Sequence, residues 1–183
     1  MKREALPLAP GSYCLWPSRL WGYQGVSLVV DRNVRGLCQQ PYPGHPRGCP
    51  NYGKRPTCPP AAPWIGDFLR LDLPHWLVWT RFDLAAHVQR MRDRHPAWSE
   101  RQLRCCLYWQ AAQRKLLKGA VALVTGVTRL DGYRYVHSLC PEGMGVNVTA
   151  SMERVGIVLE WPPERTAYQV AVVGYGKRER SEP

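Results

Sequence analysis

Short runs rich in β-branched and aromatic residues predict six strands. Some of these runs alternate apolar and polar positions, as a strand with one buried face does, and others are continuously apolar, as in a fully buried strand. The six segments are 27–31, 75–82, 120–126, 133–137, 157–161 and 166–176. Residues 1–26 contain several prolines and show no sustained pattern, so we expect them to be irregular.

Two helices are predicted between the second and third of these strands. Asp83 is a candidate N-cap, and apolar residues recur every three or four positions after it until Pro96 ends the run. Ser99, with Gln102 three residues later, forms a capping box that begins the second helix. The apolar pattern continues toward Gly119, so we expect one long helix there.

The order of these elements predicts the fold class. A third, short helix, capped by Asn147 or Thr149 and ending at Gly156, separates the later strands. Strands interleaved with helices predict an α/β or α+β fold, with a single sheet, helices packed on it and a Pro/Gly-rich loop. The length of 183 residues fits one domain. We expect that domain to span 1–176 and to be followed by a disordered basic tail over 177–183.

The loop after the first predicted strand contains Cys38, Cys49 and Cys58. Its sequence, CQQPYPGHPRGCPNYGKRPTCPP, is too dense in proline and glycine for a helix or a central strand. It also has few aliphatic residues, so it buries too little apolar surface to offset the entropy lost in fixing its shape. A bound metal or cluster would fix the loop, and we therefore expect 1–176 to be a single metal-binding domain.

Disulfide bonds are a weaker explanation for the loop. The N-terminal sequence MKREALPLAPGSYCLW has an early basic pair and only a short, proline-interrupted apolar run, so we expect no signal peptide and a cytoplasmic protein. The longest apolar run, Gly119 to Val127, is too short to span a membrane. An odd total of seven cysteines argues against a closed disulfide framework, and clustered thiols in a reducing compartment are more often metal ligands or nucleophiles.

The charge of the chain indicates an acidic partner. Lysine and arginine number 25 against 14 aspartate and glutamate residues, which gives a net charge of +11. Most of the excess is arginine, whose planar guanidinium suits phosphate and stacks on bases, so we expect a nucleic acid or a nucleotide. The arginines of the predicted helices would form the contact surface: Arg90, Arg92, Arg94, Arg101, Arg104 and Arg114. The alternative is a solvated basic surface without a partner.

Two motifs occur in a recognisable order along the chain. Residues 48–60 read GCPNYGKRPTCPP, and Cys140 is followed by SMERVGI at 151–157. Together with the helix and apolar run between them, they resemble a family of uncharacterised predicted metal-binding proteins, described as ferredoxin-like and cysteine-rich. The resemblance covers about residues 36–160. It implies metal or iron–sulfur binding with Cys140 as a late ligand, and it implies no particular reaction.

Two positions depart from the pattern of that family. The segment VTRLDGYRYVHSL, where the family often has further cysteines, contains none, so a second cluster is not expected. Thr149 and Ala150 replace the Arg-Pro pair that often precedes Ser-Met-Glu, so any function of that arginine has no counterpart here.

Thiolate chemistry agrees with a four-cysteine site made of Cys38, Cys49, Cys58 and Cys140. Cysteine thiolates hold iron–sulfur clusters, frequently with proline after a ligand, and a proline follows three of these four residues. Zinc uses the same ligands, with His45 as a substitute, but structural zinc sites usually pair ligands closely and the chain has no CxxC. We therefore expect an iron–sulfur cluster of the 4Fe–4S type, with zinc as the alternative. If Cys140 is not a ligand, three cysteines leave one iron open to substrate.

Four further residues are candidates for other chemistry. His137 and Glu153 are the candidate catalytic residues. His137 is a candidate proton donor or ligand, and Glu153 is a candidate general base or a carboxylate that orients a ligand. A structural histidine and a helix-surface carboxylate are the simpler interpretations of the two. Cys105 and Cys106, adjacent on the predicted long helix, are most simply interpreted as small residues that face the core, with a redox pair as the alternative.

Two functions follow from these predictions. The first is an iron–sulfur protein that acts on a nucleic acid or nucleotide, either as a cluster-dependent enzyme or as an accessory factor. The second is a non-catalytic protein in which zinc fixes the loop and the basic face binds a nucleic acid or another partner. An electron carrier is a third option, which the missing CxxCxxC spacing makes less attractive.

Overall fold

The computed structural model describes residues 20–42, 45–128 and 132–177. They form an α+β fold in which one antiparallel sheet of four strands has the order β1-β2-β4-β3. The strands are β1 Trp21–Gly25, β2 Trp76–Asp83, β3 Tyr135–Ser138 and β4 Thr166–Tyr175. The α-helices are α1 Ile65–Phe68, α2 Leu84–Arg94, α3 Glu100–Leu103, α4 Gln110–Val127 and α5 Val148–Glu153. Short 3-10 helices span Arg32–Gln39, Cys106–Tyr108 and Pro141–Met144.

Helix α4 covers one face of the sheet. Its buried residues Leu117, Val121 and Val124 recur every three or four positions, so they form one apolar stripe along the helix. That stripe packs on Val78 of β2 and Val173 of β4, both fully buried. This half of the core therefore joins the two central strands to one long helix.

The opposite face of the sheet packs on shorter segments. Leu77 and Val172 point to this side, because neighbouring residues of a strand alternate between faces. They contact a cluster that includes Ile65 of α1, Met152 of α5 and Val146, which lies just before α5. The segment after Cys140, from Met144 to Val148, therefore packs on this second face.

The predicted helix starts are confirmed by hydrogen bonds. Asp83 Oδ1 accepts from the backbone N–H of Ala86 at 2.8 Å. Ser99 and Gln102 form the reciprocal capping box. Asn147, rather than Thr149, caps α5. Side-chain capping is local chemistry, and it was therefore readable from sequence.

The predicted long helix from Ser99 to Gly119 was wrong. Helix α3 ends at Leu103, and α4 begins only at Gln110. Between them the chain bends, and the Trp109 ring stacks on Phe82 with ring centroids 4.7 Å apart. Burial of these aromatic rings outweighs continuation of the helix, since helical propensity is a weak preference beside tertiary packing.

The predicted strand 120–126 was also wrong, because these residues continue α4. A run of small and β-branched residues resembles a buried strand, but Ala120, Val121 and Val124 have the helical spacing. All three are buried against the sheet, so packing of the apolar stripe stabilises the helix despite the lower helical propensity of valine.

Two other predicted strands, 27–31 and 157–161, are not strands. In the first, only Val30 forms a bridge, to Val146. The backbone N–H groups of its neighbours Leu28 and Val29 donate instead to the side chains of His75 and Ser151. Conversely, β1 lies within a segment that was expected to be irregular.

Some predictions fall outside the described residues. These are the irregular segment before residue 20 and the basic tail from residue 178. Among the described helices, none combines the length and apolar character that a membrane crossing requires.

Candidate metal centre

The 3-10 helix Arg32–Gln39 positions Cys38. It begins at Asp31, whose Oδ1 accepts from the backbone N–H of Asn33 at 2.8 Å. Arg35 on this helix donates to the carbonyls of Pro60 at 3.1 Å and Ala62 at 2.7 Å. The arginine therefore connects the start of the cysteine loop to its end.

A backbone contact brings Cys49 beside Cys38. The N–H of Cys49 donates to the Cys38 carbonyl at 2.7 Å. The preceding residue, Gly48, has φ of +76°, and a Cβ there would lie 2.7 Å from the Cys38 carbonyl oxygen. Only glycine fits this approach without movement of the chain.

Close backbone packing brings Cys58 to the segment that contains Cys140. Cys140 precedes the 3-10 helix Pro141–Met144, and its carbonyl accepts from the N–H of Gly143 at 3.1 Å. A Cβ on Gly143 would lie 3.0 Å from the Thr57 carbonyl and 3.8 Å from Cys58 Cα. Two segments far apart in sequence therefore meet at this point.

The four predicted ligands lie in one electrostatic neighbourhood. Burial raises the pKa of Cys38, and negative charge on Cys49, Cys58, Glu142 and Cys140 raises it further. Burial also raises the pKa of Cys58, and the charge of Cys140 adds to that effect. Burial, with the repulsion of neighbouring thiolates added to it, favours the protonated thiols of Cys38 and Cys58, and a bound cation would remove that penalty.

Arg114 and Glu142 are neighbours of Cys140 that sequence reasoning had not grouped with it. Arg114 Nη2 lies 3.6 Å from Cys140 Sγ, and both side chains are partly buried. Burial raises the pKa of the Glu142 carboxyl, and the Arg114 charge opposes that rise. Arg114 therefore belongs to the cysteine neighbourhood and not to the outer basic surface where the sequence placed it.

The four cysteines suit a metal that binds thiolates, but their side chains are not already arranged around a metal position. All six cysteines of the described residues are free thiols. Within the same residues, no three His, Cys, Asp or Glu side chains are arranged to hold a metal ion. The four sulfurs would have to close around a metal, which is common where metal binding is coupled to ordering of the polypeptide.

The remaining predicted residues lie outside this neighbourhood or at its margin. His45 packs against Tyr42 with the two rings tilted by 38° and their centroids 4.7 Å apart. His137 is exposed on β3, opposite Val173. Glu153 is exposed at the end of α5. The two candidate catalytic residues are therefore both on the surface.

The break between α3 and α4 changes the environment of Cys105 and Cys106. Both were expected to face the core, but Cys105 is only partly buried and Cys106 is exposed. Burial raises the pKa of Tyr42, and the charges of Cys49, Cys106 and Cys38 raise it further. Cys106 therefore lies toward the cysteine loop.

A groove of about 350 Å³ opens beside Cys140. Arg114, Glu142 and Cys140 line one end, and Trp109, Trp161 and Tyr168 supply aromatic surface. Neither His137 nor Glu153 lines it. The groove depends on where the chain leaves β3, so no sequence motif indicated it.

Stacked aromatic rings accompany the arginines of α2 and α3. The ring centroids of His95 and Trp98 are 4.0 Å apart, and those of Trp98 and Tyr108 are 5.3 Å apart. Glu100 pairs with both Arg92 and Arg104, which connects the two helices. The surface near the helix break thus combines cations with a ring stack of which Tyr108 is exposed.

Comparisons with known proteins identify no relative. Scans of protein-family models, curated proteins and solved structures each returned no match. The functional interpretation therefore depends on the residues and their geometry.

Proposed function

We propose that Cys38, Cys49, Cys58 and Cys140 hold an iron–sulfur cluster of the 4Fe–4S type. The observation that carries the proposal is the convergence of the segment after Cys140 with a loop from the other half of the chain. A Cβ on Gly143 would lie 3.8 Å from Cys58 Cα, and the Cys49 N–H donates to the Cys38 carbonyl at 2.7 Å. The two motifs that resemble the cysteine-rich family support the same ligand set. The cluster, when bound, would supply either electron transfer or an iron atom that binds a substrate.

The surroundings of the thiols support a cluster better than a zinc ion. Proline follows Cys49, Cys58 and Cys140, which removes a backbone donor where the chain must turn around a bulky group. The ligands also lack the close pairing of structural zinc sites. Arg114 beside Cys140 would offset part of the negative charge that four thiolates bring.

The proposal includes a nucleic acid or nucleotide as the partner or substrate. Support comes from the net charge of +11 and from the arginines on α2 and α3. Arg94 and Arg101 are exposed, and exposed Tyr108 extends the ring stack beside them. Arginine contacts phosphate, and aromatic rings stack on bases, so the combination suits a single strand.

A second candidate is a non-catalytic protein in which zinc fixes the loop and the basic face binds a partner. The exposed positions of His137 and Glu153 favour it, because neither predicted catalytic residue lines the groove beside Cys140. Zinc would use the same four thiolates, with the loop drawn around one ion.

Cysteine substitution tests the ligand assignment. The full chain and its Cys→Ala variants are isolated anaerobically, and iron, acid-labile sulfide and zinc are measured. We expect Cys49→Ala and Cys58→Ala each to lose most of the metal, because a lost thiolate opens the site. The matched control is Cys105→Ala, which should retain it. Equal loss from all three variants would contradict the assignment.

A further inference from the structure

The groove beside Cys140 exists because β3 is much shorter than β4. Strand β3 pairs with β4 only over Val172 to Tyr175, and it ends at Ser138. The chain then turns away through Cys140, which leaves the first half of β4 with β2 on one edge only. The space left by the missing strand segment forms the groove.

The open edge of β4 presents backbone hydrogen-bonding groups to this space. The backbone N–H of Arg81 donates to the carbonyl of Leu20, the residue before β1. The backbone N–H and C=O of the adjacent residue, Thr80, therefore face the other neighbour, β4. Thr80 is opposite Gln169, which therefore directs its own groups toward β2. The backbone N–H and C=O groups of Tyr168 and Val170 therefore point to the open edge. These donors and acceptors can pair with the polar edge of a heteroaromatic ring.

Aromatic side chains form the walls of the groove. Trp161 is 69% exposed although it is large and apolar. Its indole N–H donates to Thr149 Oγ1 at 3.0 Å, so one edge of the ring is held by the protein. Partly buried Tyr168 and Trp109 supply further ring surface. Such positions suit stacking on a planar ligand.

Two lining residues carry buried polar atoms that lack a hydrogen-bond partner among the described residues. They are Trp109 Nε1 and Gln169 Oε1. The Gln169 amide nitrogen donates to the Gln110 carbonyl at 3.2 Å, which leaves its oxygen as an acceptor. Unpaired buried polar atoms are uncommon, so a donor and an acceptor beside this groove indicate a polar ligand or ordered water.

We propose that this groove binds a mononucleotide, with its base between Trp161 and the open edge of β4 and its phosphate toward Arg114. The inference rests on the proposed function, for which it names the substrate class. A volume of about 350 Å³ is at the small end of ligand sites and accommodates one nucleotide rather than a dinucleotide. Arg114 beside Cys140 brings the phosphate end close to the metal centre.

Calorimetric titration of the full chain with AMP tests the proposal. We expect Trp161→Ala to weaken AMP binding about tenfold, and Trp161→Phe to retain most of the affinity because stacking needs only a ring face. The matched control, Trp21→Ala, removes a tryptophan of β1 that does not line the groove, and it should leave the affinity unchanged. Failure of AMP to bind, or equal affinities of Trp161→Ala and Trp21→Ala, would overturn the inference.

Comparison of AMP with adenosine tests the position of the phosphate. The wild-type protein should prefer AMP, and Arg114→Gln should abolish that preference while adenosine binding is unchanged. An AMP preference that survives in Arg114→Gln would refute this placement. Iron and sulfide are measured on the same samples. If the protein contains the cluster but does not bind AMP, the groove inference alone is overturned. If the protein contains no metal but binds AMP, the groove inference is supported and the cluster proposal is contradicted.

Discussion

The backbone at Gly145 gives a stability prediction whose magnitude follows from the structure. Gly145 has φ of +86°, and a Cβ there would lie 1.9 Å from Cζ3 of Trp64. Trp64 has little room to move, because it packs against the core and Arg32 lies over its ring at 4.9 Å. Gly145→Ala therefore adds both backbone strain and a steric clash.

The two costs can be separated with a matched variant. Gly156 has a similar φ of +77°, but a Cβ there would meet no atom within 4 Å. Gly156→Ala should cost about 1–2 kcal/mol from backbone strain alone. Gly145→Ala should cost about 2–5 kcal/mol, since overpacking adds about 1–3 kcal/mol.

Urea denaturation of both variants measures this difference. We expect Gly145→Ala to lose more free energy of unfolding than Gly156→Ala, with similar dependence on urea concentration. The Gly145 carbonyl also accepts from the Asp31 N–H at 2.8 Å, which connects the segments that carry Cys38 and Cys140. Equal losses in the two variants would refute the packing of Trp64 against Gly145.

Two other predictions concern pH and salt. Burial lowers the pKa of His75, whose Nε2 accepts from the Leu28 N–H at 3.1 Å, so the folded protein favours the neutral ring. Stability should be full above the ordinary histidine pKa of about 6.5 and fall as pH drops below it, with His87 acting in the same direction. Urea midpoints that do not change between pH 7.5 and 5 would contradict this. Binding of a single-stranded oligonucleotide should weaken steeply with salt, and Arg94→Ala with Arg101→Ala should reduce the logarithmic slope by about 1.4, since each contact to a single strand contributes about 0.7. An unchanged slope would remove these arginines from the contact surface.

Local chemistry explains which parts of the fold were predictable from sequence. The caps Asp83, Ser99 and Asn147 act within three residues of their own position, and all were confirmed. The central strands β2 and β4 were also predicted, because both combine β-branched and aromatic residues over strand length.

Tertiary packing explains the errors. Whether residues 120–126 form a strand or continue α4 depends on the sheet beneath them. The helix break before Gln110 depends on the stacking of the Trp109 ring on Phe82. These partners are distant in sequence, so local propensity cannot weigh them.

The candidate site was only partly readable from the chain. The proline and glycine residues between Cys38, Cys49 and Cys58 indicated a loop, and the motif around Cys140 suggested a fourth ligand. The contact of Arg114 with Cys140 arises from how α4 crosses the sheet, and no motif encodes it. The groove likewise follows from the early end of β3, which is a property of the pairing register.

Metal analysis of the anaerobically isolated full-length protein tests the central claim most directly. The proposal predicts about four iron and four acid-labile sulfide atoms per chain, with a brown colour from thiolate-to-iron charge transfer. One zinc atom per chain in a colourless protein, or no metal at all, would contradict it.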